Sequence, residues 1–220
     1  MAGACRFFRS APALLCRINR RYRRMNKTKN YSITKSGAVI LEGGANRGVF
    51  TAGALDFLME QEYYIPHVIG VSAGACNALD YVSGQIGRTR DCMIVTEKKN
   101  RYINRNIKEI VEKKGLLDMD MVFDRYPNEV FPFDFEAYFR SPQTCEMVVT
   151  NCETGRAEYL DDRTSRERLM AIGRASSSMP IACPMVEIDG KPYLDGGIAD
   201  SIPIIRSLKT GHRKNLIILT

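Results

Sequence analysis

The sequence predicts an α/β fold in which a parallel sheet is covered by helices on both faces. Two observations support this. Short apolar runs alternate with helix-like segments, and glycine-rich turns join them. Over residues 38–82 the order is strand, glycine loop, helix, strand, sharp turn and helix, which is typical of parallel crossover units. With 220 residues, the chain has room for one such domain or two small ones.

Composition and charge narrow the class of protein. At 45% hydrophobic and 26% charged residues the chain resembles ordinary globular proteins. No apolar run approaches the roughly 20 residues of a spanning helix, which excludes an integral membrane protein. Residues 1–41 carry ten Lys or Arg and no acid, whereas residues 42–220 carry 22 basic and 25 acidic groups. The basic groups therefore lie outside the predicted fold, and we expect no nucleic-acid partner.

Residues 1–36 are predicted to be a basic, disordered leader that precedes a domain at 37–220. Two other interpretations are an amphipathic surface-binding segment and an organelle transit peptide. Met25 would make an alternative start. The seven cysteines are odd in number and form no CxxC pair, which argues against a disulfide framework and a zinc ribbon. We expect reduced thiols in a cytoplasmic protein with transient contact to a membrane surface.

The first half of the domain has the clearest pattern. Ala38–Leu41 is predicted as a buried parallel strand because all four residues are apolar. Val49–Glu60 has helical spacing of its apolar residues. His67–Val71 is a second apolar strand, and Ala73–Val82 is small and apolar enough for a buried helix.

The second half is less regular. Residues 85–140 suggest a surface cap or insertion with a charged helix at Lys98–Lys114. Beyond them we predict strands, one helix and a hairpin turned by Asp189-Gly190, in this order: Cys145–Asn151, Ala157–Leu160, the helix Ser165–Ala175, Met185–Ile188, Lys191–Leu194 and Asn215–Thr220. Because the chain stops inside a strand with no covering helix, the sequence indicates a domain truncated at its C-terminus.

Gly70-Val71-Ser72-Ala73-Gly74 matches the GxSxG pattern of a nucleophile elbow. There a serine occupies a tight strand-to-helix turn, glycines at Gly70 and Gly74 avoid collisions, and the helix dipole favours developing negative charge. The pattern alone is common by chance, but here it follows a strand and precedes a helix. The competing interpretation is a tight turn with an incidental serine.

Gly43-Gly44-Ala45-Asn46-Arg47-Gly48 follows the first strand. Consecutive small residues next to a helix N-terminus leave N–H groups free to bind an anion, either a phosphate or the oxyanion of an acyl-transfer intermediate. A dinucleotide loop is disfavoured because Ala45 replaces the middle glycine, and no GK[ST] follows, which excludes a P-loop. A plain strand–helix turn remains the alternative.

Asp195-Gly196-Gly197 is the third signal, although Asp-Gly alone more often marks a simple turn. A serine hydrolase needs a base. His67 would lie roughly 16 Å from Ser72 along the strand, and His212 has no obvious acid partner. A triad through His212 stays an alternative, but Asp195 is the better placed base for Ser72.

These three signals together resemble the patatin-like phospholipases, most closely the compact bacterial members. The similarity covers residues 37–220 and includes the stretches VILEGGANRGVFTAGALDFL, VIGVSAGACNA and SSSMPIACPMVEIDGKPYLDGGIADSIPI. The resemblance implies a three-layer α/β/α sandwich with a mainly parallel central sheet, Ser72 as nucleophile and Asp195 as proton acceptor. It places Gly43, Gly44, Ala45 and Arg47 in the oxyanion loop. Ala45 departs from the third glycine usual in the family.

The expected activity is hydrolysis of fatty acyl esters of lipids through an acyl-enzyme, with neither a metal nor a cofactor. The substrate would be a lipid or another acyl ester. Met179, Ile181, Pro184 and the aromatics of residues 126–139 are candidates for an acyl site, with an ordinary core role as the alternative. Competing functions are a catalytically silent lipid-binding or interaction protein, a serine–histidine hydrolase and an acyltransferase.

Overall fold

A computed structural model describes residues 36–112 and 115–220, so the leader predicted for residues 1–36 lies almost wholly outside the described chain. Seven strands form one sheet: β1 (Ala38–Leu41), β2 (His67–Val71), β3 (Thr144–Asn151), β4 (Ala157–Leu160), β5 (Val186–Ile188), β6 (Lys191–Asp195) and β7 (Asn215–Ile218). Strands β3, β2, β1 and β7 lie side by side and run parallel. The predicted mainly parallel central sheet is therefore confirmed.

Short helices connect these strands: α1 (Gly48–Glu60), α2 (Ala73–Ser83), α3 (Arg88–Met93), α4 (Ile107–Glu112), α5 (Phe135–Arg140), α6 (Arg166–Ser176) and α7 (Ile204–Lys209). A π-helix spans Met121–Val130, and 3₁₀ turns lie at Ala45–Arg47, Lys98–Asn100 and Gly196–Ile198. Among the described helices, none combines the length and apolar character needed to cross a bilayer.

The central strands are covered on both faces, as the α/β/α prediction requires. Every residue of β1 and β2 is buried. Alternate side chains belong to different clusters: Val68 joins the main core, whereas Ile69 and Val71 form a smaller cluster on the opposite face. Burial on both faces explains why these strands read as uninterrupted apolar runs.

Strand β3 brings the ends of β2 and β6 together. Its first half pairs with β2 as far as Val71 opposite Val148, and its second half pairs with β6 from Val149 opposite Asp195. Strand β4 pairs with β3 across both halves and so occupies the other edge. Strands β2 and β6 therefore share one edge of β3, run in opposite directions, and end next to each other.

One predicted element differs from the structure, and one observed helix was not predicted. The helix expected at Lys98–Lys114 was too long, because α4 begins only at Ile107. Asn104 donates its side-chain amide to the Gly115 carbonyl at 2.8 Å, and Asn106 accepts a hydrogen bond from Glu109 N at 2.9 Å. Such side-chain bonds compete with helix formation upstream and cap the helix that does form. Helix α7 was not foreseen.

Candidate active site

Ser72 stands between β2 and α2 in a conformation that non-glycine residues rarely adopt, with φ 56° and ψ −122°. The flanking glycines permit this turn. A Cβ on Gly74 would lie 2.3 Å from the Leu41 carbonyl oxygen, and one on Gly70 would lie 2.5 Å from that of Gly74. Ser72 is thus held at the N-terminus of a buried helix, with the geometry of a nucleophile elbow.

Asp195, the last residue of β6, is buried beside Ser72. The Ser72 hydroxyl lies close enough to this carboxyl to lower its pKa as a hydrogen-bond donor, and the Gly197 N–H donates a hydrogen bond to the carboxyl at 2.8 Å. Burial raises the pKa of Asp195, and these two hydrogen bonds only partly oppose the rise. A Cβ on Gly196 would lie 2.2 Å from the Val148 carbonyl oxygen, so the two glycines let the turn pack directly on β3.

A run of serines at the end of α6 aligns these two residues. Ser176 accepts a hydrogen bond from Ser72 N at 3.0 Å, and the Ser178 carbonyl accepts one from Asp195 N at 2.9 Å. Both serines are fully buried. The sequence analysis predicted no role for Ser176 or Ser178. Three consecutive serines at positions 176–178, within an otherwise apolar region, could have indicated one.

Gly43 and Gly44 form the part of the glycine loop that faces Ser72. A Cβ on Gly43 would lie 2.9 Å from the Ser72 Cβ and 3.7 Å from its Oγ. Within the described chain, the N–H groups of Gly43 and Gly44 have no protein acceptor. Thr220 donates its hydroxyl to the Gly43 carbonyl at 2.6 Å, which fixes the peptide between the two glycines.

The next three residues of the predicted loop, Ala45, Asn46 and Arg47, line the same cavity as Ser72. Ala45, Asn46 and Arg47 form an exposed 3₁₀ turn, and Gly48 begins α1, where its Cα packs against Ala73. Ala45 has φ 48°, a left-handed conformation that a glycine would adopt at lower cost. Asn46 accepts a hydrogen bond from the Tyr102 hydroxyl at 2.7 Å.

The two histidines lie away from this site. His67 begins β2, so about 16 Å of strand separates it from Ser72. Its ring hydrogen-bonds Thr144 and Glu146, and the His212 ring stacks on it with centroids 4.5 Å apart. His212 therefore occupies the opposite end of the sheet from Ser72, and the geometry gives no support to a serine–histidine pair.

A cavity of about 490 Å³ opens beside Ser72. Its lining is mostly apolar and comes from α2, from the stretch that runs from α3 through the π-helix to Phe133, and from the chain around α6. The apolar lining residues are Leu79, Met93, Ile103, Leu116, Leu117, Met119, Val122, Phe123, Tyr126, Phe133, Met170 and Met179. The expectation that Met179 and the aromatics Tyr126 and Phe133 line a pocket agrees with this. Ile181 and Pro184 were placed wrongly, because both are exposed to solvent.

A cluster of three polar side chains interrupts the apolar lining of the cavity. Asp80 and Arg88 form an ion pair at 2.8 Å, and Thr89 donates its hydroxyl to the same carboxylate. Burial raises the pKa of Asp80, while Arg88 and Thr89 lower it. Cys76 lies one helical turn beyond Ser72, and burial raises the pKa of its thiol to about 11, so it stays protonated near neutral pH.

In the described parts of the chain, no group of three or more His, Cys, Asp or Glu side chains is arranged to hold a metal ion. The groups gathered at Ser72 are its own hydroxyl, the buried carboxyl of Asp195 and free backbone N–H groups. This set can support nucleophilic attack on an acyl group and stabilise the resulting oxyanion.

Comparison with known proteins identifies relatives. The family model described as patatin-like phospholipase matches residues 39–206. "Uncharacterized protein YjjU" of Escherichia coli is 27% identical over 188 residues, which are 83% of this chain and 51% of that protein. "Uncharacterized NTE family protein Rv1063c" of Mycobacterium tuberculosis is 26% identical over 167 residues, 76% of this chain and 44% of that protein.

A viral protein is also similar. "Probable lipid hydrolase 463L" of Invertebrate iridescent virus 6 is 24% identical over 195 residues, covering 80% of this chain and 65% of that protein. The chain thus spans about half the length of the bacterial relatives that it matches.

Proposed function

The chain belongs to the patatin-like phospholipase family, and on that premise we propose that it is a serine lipid acyl hydrolase acting through Ser72 and Asp195. The observation that carries the proposal is the position of the Ser72 hydroxyl beside the buried Asp195 carboxyl, next to an apolar cavity. The similarity to a protein named as a lipid hydrolase supports the same class of substrate.

In the first half of the reaction, Asp195 takes the proton of Ser72 as the serine oxygen attacks the ester carbonyl. The carbonyl oxygen becomes negative and is stabilised by the N–H groups of Gly43 and Gly44 and by the N-terminus of α2. Each such donor typically contributes about 2.7–4 kcal/mol of barrier reduction. Asp195 then returns the proton to the departing alcohol, which leaves an acyl group on Ser72.

In the second half, water replaces the alcohol. Asp195 takes a proton from the water as its oxygen attacks the acyl carbonyl, and the proton passes to Ser72 when the acyl bond breaks. The products are a fatty acid and regenerated Ser72. The same carboxyl serves as base and acid in both halves.

An unperturbed aspartate, with a pKa of about 3.9, is a weak base for this task. Burial raises the pKa of Asp195, which increases its affinity for the serine proton. The cavity beside it removes an acyl chain from water, and its apolar lining favours hydrocarbon over polar groups. The cavity lining therefore favours long or medium acyl esters over polar substrates.

Turnover of p-nitrophenyl esters of graded acyl length tests the proposal. We expect Ser72→Ala and Asp195→Asn each to lose about a thousandfold or more of activity, since each removes a reacting group. His212→Ala is the matched control and should keep wild-type turnover. Thermal unfolding of each variant checks that the fold is retained.

Two outcomes would redirect the proposal. Lipid binding without any ester turnover by the wild type would favour the catalytically silent protein. Formation of a new ester when a lipid alcohol is added, in preference to release of free fatty acid, would favour an acyltransferase. Both outcomes use the same site residues and are distinguished by product analysis.

A further inference from the structure

Six exposed apolar side chains, which we call the rim, lie on segments that line the cavity or adjoin its lining residues: Ile103, Ile107, Val111, Leu116, Ile181 and Met185. Ile103 and Leu116 line the cavity and are also exposed at its outer end. Ile107 and Val111 are 81% and 70% exposed and lie one turn apart on α4. The apolar surface therefore continues from the interior of the cavity onto the outside of the protein.

Backbone hydrogen bonds hold the three segments of the rim together. Leu116 N donates to the Ala182 carbonyl at 2.7 Å, and Asn104 N donates to the Leu116 carbonyl at 2.9 Å. Gly115 N donates to the Ile110 carbonyl at 2.9 Å, which joins α4 to the same assembly. The rim is thus one contiguous surface assembled from distant parts of the chain, and large exposed patches of this kind mark interaction sites.

The charge beside the rim differs in sign from that of the remaining domain. Residues 94–112 carry five Lys or Arg and three acids, whereas the other residues of 42–220 carry 17 basic and 22 acidic groups. Among the described residues, Lys98, Arg101 and Arg105 have no carboxylate ion-pair partner. Cations that alternate with exposed apolar side chains are suited to bind a surface with an anionic outer layer above an apolar interior.

We infer that the rim and the adjacent cations Lys98, Arg101 and Arg105 dock on an anionic lipid bilayer, with the cavity entrance held against the membrane. This inference rests on the proposed lipid acyl hydrolase function, since docking lets an acyl chain enter the cavity without crossing water.

Co-sedimentation of the full chain with vesicles tests the docking. One set of vesicles is phosphatidylcholine alone, and the other contains phosphatidylglycerol as well. The double variant Arg101→Glu/Arg105→Glu should lose about twentyfold or more of its affinity for the anionic vesicles, because each surface cation contributes about fivefold. Ile107→Asp should lose about tenfold or more on both vesicle types, because an inserted isoleucine is replaced by a charge.

Ile205→Asp on α7 is the matched control, since Ile205 is 61% exposed and lies outside the rim. It should bind vesicles like the wild type. All variants should hydrolyse a soluble short-chain ester at wild-type rate, which separates docking from catalysis. If no form of the protein hydrolyses any ester, the proposed function fails while the vesicle measurement still decides the docking.

Two results would overturn the inference. One is equal vesicle affinity of the rim variants and the wild type. The other is a wild type that ignores vesicles but sediments as a dimer that Ile107→Asp converts to a monomer, which would make the rim a contact between copies of this chain.

Discussion

From the strained backbone of Ser72 we predict that two inactive variants differ in stability, which tests the geometry of the turn independently of catalysis. Both Ser72→Ala and Ser72→Gly remove the hydroxyl, so both abolish ester turnover and both leave Asp195 without that hydrogen bond. They differ in the Cβ atom. With φ 56° and ψ −122°, Ser72 occupies a region open to glycine but costly for alanine.

The magnitude follows from that difference. A non-glycine residue held in such a region costs about 1–3 kcal/mol. The glycine variant recovers this strain but loses about 0.4–1 kcal/mol through the greater freedom of its unfolded chain. We therefore expect Ser72→Gly to be more stable than Ser72→Ala by about 1–2 kcal/mol, which raises the unfolding midpoint by a few degrees for a chain of this size.

Urea unfolding of the two inactive variants, followed by circular dichroism, measures this difference directly. The effect of the lost Asp195 hydrogen bond cancels between them, so the comparison isolates the backbone. If the glycine variant is equally stable or less stable than the alanine variant, Ser72 is not strained and the elbow geometry is incorrect.

Three further predictions concern protonation, packing and an ion pair. Because burial raises the pKa of Asp195 and the base must be deprotonated, turnover of a soluble ester should fall on acidification with a midpoint above the usual aspartate range; a midpoint within or below that range contradicts this. Gly74→Ala should lower the free energy of unfolding, measured in urea, by about 2 kcal/mol or more, because its Cβ would collide with the Leu41 carbonyl. Gly53→Ala should raise this free energy by about 0.5–1 kcal/mol, because Gly53 is exposed in α1 with open space around it. Equal effects of the two substitutions would refute the packing argument. Burial alone would raise the pKa of Glu146, but hydrogen bonds from His67 and Arg206 lower this pKa to about 2. The ionised Glu146 therefore stabilises the fold fully at pH values above its usual pKa, and this stabilisation is lost as the pH falls toward 2. Arg206→Met should thus destabilise by about 1–3 kcal/mol near pH 7, with a difference from wild type that shrinks below about pH 4.5; a difference independent of pH would argue against the pairing.

The local hydrophobic pattern was sufficient to predict the strands at the centre of the sheet. β1 is wholly apolar, β2 is apolar after His67, and both are short and buried, which is the signature by which they were predicted. The hairpin between β5 and β6 was predicted from Asp189-Gly190, and both residues have positive φ, at 53° and 77°, as a tight hairpin turn requires.

The segment between α3 and α5 could not be predicted, because contacts between distant residues determine its structure. The Tyr126 hydroxyl donates to the Asn100 carbonyl at 2.6 Å, and Asn104 reaches Gly115. The π-helix Met121–Val130 contains Pro127 and has no local sequence signature. The charged residues of Lys98–Lys114 suggested a longer helix, because these hydrogen bonds to distant residues cannot be inferred from the local sequence pattern.

The candidate site was predictable in its residues but not in its assembly. Motifs singled out Ser72 and Asp195, yet their proximity depends on the length of β3 and on the register that seats β2 and β6 on one edge. Ser176 escaped notice because a polar residue at a helix end is common. Ile181 was expected inside, but its loop turns it outward with φ 69°.

The most direct test of the account is labelling with a fluorophosphonate probe, with the modified residue located by mass spectrometry. The account predicts one adduct on Ser72, a rate of labelling that collapses in Asp195→Asn, and an unchanged rate in His212→Ala. Labelling of Asp195→Asn at the wild-type rate, or its loss in His212→Ala, would contradict the claim that a buried carboxyl activates this serine.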